Sequence, residues 1–239
     1  MGKRIIPKAQ GLAPTSRITG KQYRIISTLF PPINVFENHT RPEAMGALWA
    51  LIAATNDRLL EEAGDLNLVL EEDRVSVHGA TIVMAAFTHI GQKARFNDET
   101  FGMYYAGRSQ ETAIRETVHQ REIIAQDAGL SSTEFSLRVF IGTVKKHLHD
   151  VRAVKYKFLH DRKPRPEDHP RAQKFALQLR ETGSWGLVYN SVRHNGGECI
   201  AAFRPPAISL PTQAAHLIYV WNGKKITEVY QRSEPIIEF

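Results

Sequence analysis

The order of apolar patterns along the chain predicts an α+β fold. Helical spacing punctuates the first half, strand-like runs dominate the second, and regular β-α-β alternation is absent. Two Asn-Gly pairs, Asn195-Gly196 and Asn222-Gly223, each lie between apolar runs. Asn-Gly between alternating apolar residues is the strongest short-range hairpin signal, because both residues accept positive φ. No internal repeat is present.

Taken in order, residues 1–20 are basic and contain Gly, Pro, Thr and Ser, and read as a loose N-terminal arm. Residues 21–239 read as a single domain, with about 30–90 as an extension. Tyr23–Ser27 is a short strand, closed by Phe30-Pro31-Pro32. Thr40-Arg41-Pro42 starts a helix, with Thr as N-cap and Pro near the first helical position. Met45, Leu48, Trp49, Ile52, Leu59 and Leu60 form its apolar face to about Ala63. Residues 66–70 and 74–78 are strand-like runs. The apolar stretch 79–89 suits helix or strand, and Met84, Ala85 and Ala86 favour helix.

The stretch from Arg95 changes character halfway. Asn97 and Asp98 form a loop, and a strand with Tyr104 and Tyr105 ends near Ala106. Ser109 then caps a helix with Ala113, Ile114, Thr117, Val118 and Ile124 at helical spacing. Glu134–Ile141 is a strand, and a helix over Arg171–Glu181 stops at Gly183. The two Asn-Gly hairpins complete the chain.

The composition, 42% hydrophobic and 23% charged over 239 residues, is that of a globular chain able to bury a core. No apolar run approaches the ~20 residues of a membrane span, and the basic N-terminus has no apolar h-region. Cys199 is the single cysteine, which excludes an intrachain disulfide. These features predict a cytoplasmic protein without membrane attachment. The net charge of +6 is concentrated: eleven Lys/Arg and four acids fall between Lys145 and Arg180. Such a patch suits nucleic acid, phosphorylated ligands or an acidic protein, and equally a solvated surface.

An Arg before a strand, a Tyr near its end and Glu116 on the second turn of the next helix place a cation, an aromatic ring and a carboxylate where they can converge. That trio suits a ligand with phosphates, a flat ring and a centre that becomes positive during reaction. Spacing alone is equally compatible with a surface Arg, a core Tyr and a solvated carboxylate. Ser191 lacks a G-x-S-x-G elbow, so a hydrolase nucleophile is not supported. His147, His149 and Asp150 lack a second cluster and make a poor ligand set, so no metal is expected. Neither a Walker A loop nor G-x-G-x-x-G occurs.

Four separated blocks resemble the RES domain family, named for its Arg, Glu and Ser. Tyr23-Arg24-Ile25 resembles its first-strand block. Arg95-Phe96-Asn97 resembles its Gly-Arg-Trp-Asn block, with Ala94 and Phe96 as departures. Tyr104-Tyr105-Ala106 with Glu111 to Glu116 resembles its strand-helix block. Ser184 through Pro205, including Ser191-Val192-Arg193 and Gly196-Gly197-Glu198-Cys199, resembles its C-terminal Ser block, with Asn190 where Pro is usual. Order and spacing agree from about Tyr23 to Pro206, and the segment 30–90 resembles a longer subgroup.

The resemblance implies a mixed, split β core like that of diphtheria-toxin-like ADP-ribosyltransferases, and a bacterial toxin that degrades NAD as its substrate. The acceptor of the ADP-ribosyl group is left open between water, inorganic phosphate and a protein. It implies an Xre-type antitoxin as partner, and DNA contact only through that antitoxin. Arg24 and Arg95 would grip the diphosphate, Tyr105 would stack on nicotinamide, Glu116 would stabilise the positive ribose, and Ser191 would bond the ribose or the amide. The alternative from the residues alone is a nucleic-acid module on 145–180, but that window lacks aromatic interleaving and a helix-turn-helix.

Overall fold

The computed structural model describes residues 13–27, 64–77, 80–163, 165 and 168–232. The helix expected over 40–63, most of the 30–90 extension and residues 1–12 of the arm lie outside these. In chain order the elements are β1 (Thr15–Arg17), β2 (Lys21–Ser27), α1 (Ala80–Thr88), β3 (Tyr104–Gly107), α2 (Gln110–Asp127), β4 (Thr133–Thr143) and β5 (His147–Asp150). There follow α3 (Pro170–Glu181), β6 (Gly186–Asn190), β7 (Glu198–Ala202), β8 (Thr212–Trp221) and β9 (Ile226–Gln231). This is an α+β fold around a mixed sheet of nine strands in the order β1-β5-β6-β7-β3-β2-β4-β8-β9.

Only β5 and β6 pair in parallel among these strands. The seam between β3 and β2 is narrow: a single pair, Tyr23↔Gly107, joins them. On one side of it β3 pairs with β7 over four positions. On the other β2 pairs with β4 over seven. The sheet is therefore two half-sheets meeting at one point.

Alternation assigns the faces. In the first half-sheet, Tyr104, Leu148, Val188, Ile200 and Ala202 point towards α1 and pack with Met84 and Phe87. Leu187, Tyr189, Cys199 and Ala201 point the other way, onto α3 through Ala176 and Leu179. Both faces are covered, so β6 and β7 are near-continuous apolar runs. In the second half-sheet, Ile25, Leu137, Val139, Leu217 and Tyr219 pack on Ala113, Ile114 and Val118 of α2. Its last strand is largely exposed.

Both expected hairpins form. Gly223 has φ +90° between β8 and β9. Gly196 has φ +73° between β6 and β7, within a seven-residue connection, 191–197. The ambiguous stretch 79–89 is helical as α1.

Two expectations need correction. The runs 66–70 and 74–78 are not strands in their described part, which reaches Val77. Leu66–Leu68 and Glu71–Asp73 are 3-10 turns. Asp65 caps the first, accepting from the Asn67 N–H at 2.9 Å. Arg204 fixes the second by a two-point bond to Asp73 (2.5 and 2.8 Å), with its guanidinium 4.1 Å from the Trp185 ring centre. The other difference is at the arm. Its residues 15–17 form β1 and pair with β5, and Ser16 Oγ donates to Asp150 at 3.0 Å.

Candidate active site

The site is built where α2 leaves the seam. Gly107 ends β3 and allows the turn into α2: a Cβ there would lie 2.5 Å from the Ala113 nitrogen. Ser109 caps the helix, its side chain accepting from the Thr112 N–H at 3.1 Å. With the start of α2 fixed in this way, Glu116 faces the β6–β7 connection.

There Glu116 meets Ser191. Ser191 Oγ donates to Glu116 Oε1 at 2.5 Å. Ser191 Oγ also accepts from the N–H groups of Arg193 (3.1 Å) and His194 (2.9 Å). The hydroxyl is thus oriented by backbone before it touches the carboxylate. A second tie runs from the connection to α2: His194 Nδ1 and Thr112 Oγ1 lie 2.9 Å apart. Gly197 leaves room for that contact, since a Cβ there would fall 2.7 Å from both atoms. Cys199 Sγ lies 3.8 Å from Glu116 Oε1. Both contacts fall on Oε1, and Oε2 accepts no hydrogen bond from the described residues.

Tyr105 and Arg95 are joined by a short network. Tyr105 Oη donates to Asn97 Oδ1 at 2.8 Å and accepts from the Phe96 N–H at 3.1 Å. Asn97 in turn donates to the carbonyls of Gln92 and Asp98. The Tyr105 hydroxyl therefore holds the loop that carries Arg95. Arg95 Nη1 donates to the Leu159 carbonyl at 3.1 Å.

Arg24 sits elsewhere. Its guanidinium lies 4.5 Å from the Tyr104 ring centre, and Nη1 donates to the Tyr105 carbonyl at 3.1 Å. Tyr104 and Tyr105 point to opposite faces of β3. Arg24 is thus on the α1 side, whereas Glu116 touches Ser191 and Cys199 on the α3 side. The structure brings together Glu116 and Ser191, and links Arg95 to Tyr105, whereas Arg24 meets only the backbone of Tyr105 among these residues. Arg24 instead bridges the seam where strand pairing stops. Its Nε is buried without a partner among the described residues.

The electrostatics mark one shared neighbourhood. Burial pushes the Tyr189 hydroxyl and the Cys199 thiol well above their ordinary pKa values, and the Glu116 charge pushes both further. Both stay protonated at neutral pH. Burial, then the charge of Arg95, lowers His160 and brings His169 to about 4, so both imidazoles are neutral. A cavity of about 270 Å³ lies beside this region, lined by Phe158, Asp161, Lys163, Asp168, His169 and Arg171 among others. None of the five residues expected from the sequence lines it.

The His147–Asp150 segment is β5. His149 Nδ1 lies 2.8 Å from the Ala13 carbonyl, and Arg152 grips Asp150 at 2.9 and 2.5 Å and Glu198 at 2.6 Å. Asp150 is held down to about 2, first by its bond from Arg152. No group of three metal-ligating side chains occurs among the described residues.

Asn97 and Arg193 were visible only as members of quoted blocks. Neither spacing nor residue type assigns them these contacts: Asn97 accepts from Tyr105 across the start of β3, and Arg193 donates to the carbonyl of Lys163, far back in the chain. Asn190, at the position where Pro is usual, donates to the Arg152 carbonyl at 2.8 Å.

The RES domain profile matches residues 72–222, more than half of the chain. The chain belongs to the RES domain family. At the coarse level this makes it a member of an NAD-related, toxin-like family. The matched range contains Arg95, Tyr105, Glu116 and Ser191 but not Arg24. A relative in Sinorhizobium fredii (strain NBRC 101917 / NGR234), named uncharacterized protein y4oC, is 24% identical over 211 residues, 87% of this chain and 86% of that protein. No helix among the described residues is long and apolar enough to cross a membrane.

Proposed function

We propose that this RES domain protein cleaves the bond between nicotinamide and ribose in NAD. The observation that supports this most directly is the 2.5 Å bond from Ser191 to Glu116, which orients the carboxylate through one of its oxygens. As the C–N bond breaks, its electron pair leaves with neutral nicotinamide and the ribose becomes oxocarbenium-like. A preoriented carboxylate stabilises that charge as it develops. Ser191 acts as a positioning group, because its single proton is already directed at Glu116. Arg95 takes diphosphate oxygens through planar, charge-assisted bonds. Tyr105 supports Arg95 through the 96–97 backbone, and its partly buried ring flanks the ligand. Arg24 supports the same strand from across the seam, through the Tyr105 carbonyl.

The test is NAD loss on adding purified full-length protein, with and without inorganic phosphate. Loss that needs no phosphate identifies water as acceptor, and phosphate-dependent loss a phosphorylase. No loss in either, combined with transfer of label from NAD to a protein band in extract, identifies an ADP-ribosyltransferase using the same cleft. Absence of all three contradicts the proposal.

An enzyme that consumes NAD needs restraint in its own cell, and the second part of the proposal is an Xre-type antitoxin partner in the cytoplasm. The surface favoured for it is the basic 3-10 turn Val154–Leu159 and its continuation, with Lys155, Lys157 and Arg162. Val154 is 85% exposed there and Phe158 43%. Changing the three cations to Gln should weaken co-purification of the two proteins. Unchanged complex formation would remove this surface from the proposal.

A further inference from the structure

The family resemblance implies Arg24 and Arg95 as the diphosphate grip, and the structure gives them separate partners. A different guanidinium stands on the Glu116 side. We infer that Arg193 is the partner of Arg95 in an anion-binding pair that takes the diphosphate of the nucleotide. This rests on the NAD reading above.

Geometry supports it at three points. The first is position. The Arg193 N–H bonds to Ser191 Oγ at 3.1 Å, and that oxygen bonds Glu116 at 2.5 Å. The backbone of Arg193 is thus set relative to the carboxylate by two consecutive hydrogen bonds. The second is convergence. Arg193 Nη2 donates to the Lys163 carbonyl at 2.7 Å, and Arg95 Nη1 to the Leu159 carbonyl at 3.1 Å. The two side chains arrive from different loops, one from 95–97 and one from 191–197. They meet carbonyls only four residues apart on a single segment.

The third is charge. Arg152, Arg165 and Arg204 each bond a carboxylate through two nitrogens. Among the described residues neither Arg95 nor Arg193 forms an ion pair within 4.0 Å. A guanidinium has five N–H donors in a planar fork, and a single neutral carbonyl occupies little of that capacity. Burial lowers the Arg193 pKa, Glu116 opposes this, and Arg95 and Arg162 lower it further. Two half-buried cations repel each other beside the Glu116 carboxylate, while Asp161 and Asp168 act on the neighbouring His169 rather than pairing with either guanidinium. The adjoining imidazoles of His160 and His169 are neutral and add no charge. His160 Nε2 is buried without a partner among the described residues, beside Arg95. A diphosphate would exchange the two carbonyl contacts for charge-assisted ones and neutralise the pair.

A merely structural Arg193, pinning residues 159–163, predicts a different outcome, so the experiment separates the two. Full-length wild type, Arg193→Gln, Arg193→Lys and Arg95→Gln are compared in three measurements: NAD turnover, and the affinities for ADP and for adenosine by calorimetry. Arg193→Gln should raise KM for NAD about 10-fold or more while kcat changes little, and weaken ADP by a similar factor. Adenosine, which has no phosphate, should bind unchanged. Arg193→Lys should recover part of the ADP affinity. Unchanged ADP affinity in Arg193→Gln overturns the inference, as does an equal loss for adenosine. A wild type that binds ADP through Arg193 but consumes no NAD supports the anion pair and contradicts the cleavage reading. A wild type that does not bind ADP overturns the pair.

Discussion

The half-sheet β1-β5-β6-β7-β3 carries α1 on one face and α3 on the other, while β2-β4-β8-β9 carries α2 on one face and ends in an exposed edge strand. The site follows the first arrangement. Ser191 and Arg193 come from the β6–β7 connection, and Arg95 from the loop that Tyr105 of β3 secures. A strand buried on both faces has little freedom to shift, so the groups at its ends keep their spacing. The second half-sheet contributes through α2, which packs on it and carries Glu116 across the seam. The carboxylate and the groups that orient it therefore belong to different halves. The Ser191–Glu116 and His194–Thr112 contacts join them.

This comparison can be broken by cavities. Leu187→Ala empties a fully buried position in the first half-sheet, and Leu217→Ala one that is 2% exposed in the second. Each should lower unfolding stability by about 2–5 kcal/mol, read by urea titration. Leu187→Ala should also reduce NAD turnover below the melting transition, and by more than Leu217→Ala, which reaches the site only through its packing on α2. An equal activity loss in both would show that the first half-sheet has no special scaffolding role.

A smaller effect sharpens the seam. Ser191→Ala removes the donor to Glu116 and leaves two N–H groups without their acceptor. Hydrogen bonds to charged groups contribute about 1.5–3 kcal/mol, so kcat should fall about 10- to 100-fold with KM for NAD little changed. A rise in KM at constant kcat would instead make Ser191 a substrate contact. Smaller again is Tyr105→Phe, which keeps the ring and removes the bonds to Asn97 and Phe96. It should cost about 1 kcal/mol of stability and raise KM through the Arg95 loop. Wild-type KM in this variant would detach Tyr105 from Arg95.

The smallest effect is in pH. His169 is 7% exposed, and its pKa drops from 6.5 to about 4, first by burial and then by Arg95. The unfolded chain binds a proton near pH 6.5 that the folded chain refuses until about pH 4. Stability from this residue therefore falls as pH drops through that window and is level above it. His169→Gln should flatten the dependence of Tm on pH between 6.5 and 4. Parallel curves for the two proteins would locate the dependence elsewhere.

Much of the scaffold was legible because its signals are local. The Asn-Gly hairpins need positive φ at Gly196 and Gly223, and both have it. Ser109 caps α2 as its position suggests. Illegible elements depend on distant partners. β1 is three residues long and exists by pairing with β5. The run 66–70 reads as a strand but starts as a 3-10 turn that Asp65 caps, and the joint after it is a second such turn, with Asp73 held by Arg204. The four-block resemblance located Glu116 and Ser191, which the structure joins. It could not show that Arg24 lies on the Tyr104 face of β3. Nor could it show that Arg193 meets the same segment as Arg95, since face and convergence are set by folding rather than by spacing.

The most direct test of the account is the release of nicotinamide from NAD by wild type and Glu116→Gln, with NAD affinity measured on both. Gln keeps the shape and an acceptor for Ser191 but removes the charge. The account predicts a fall in kcat of about 100-fold or more, with affinity within a few-fold of wild type. Near-normal release by Glu116→Gln would contradict it and place the chemistry on another group.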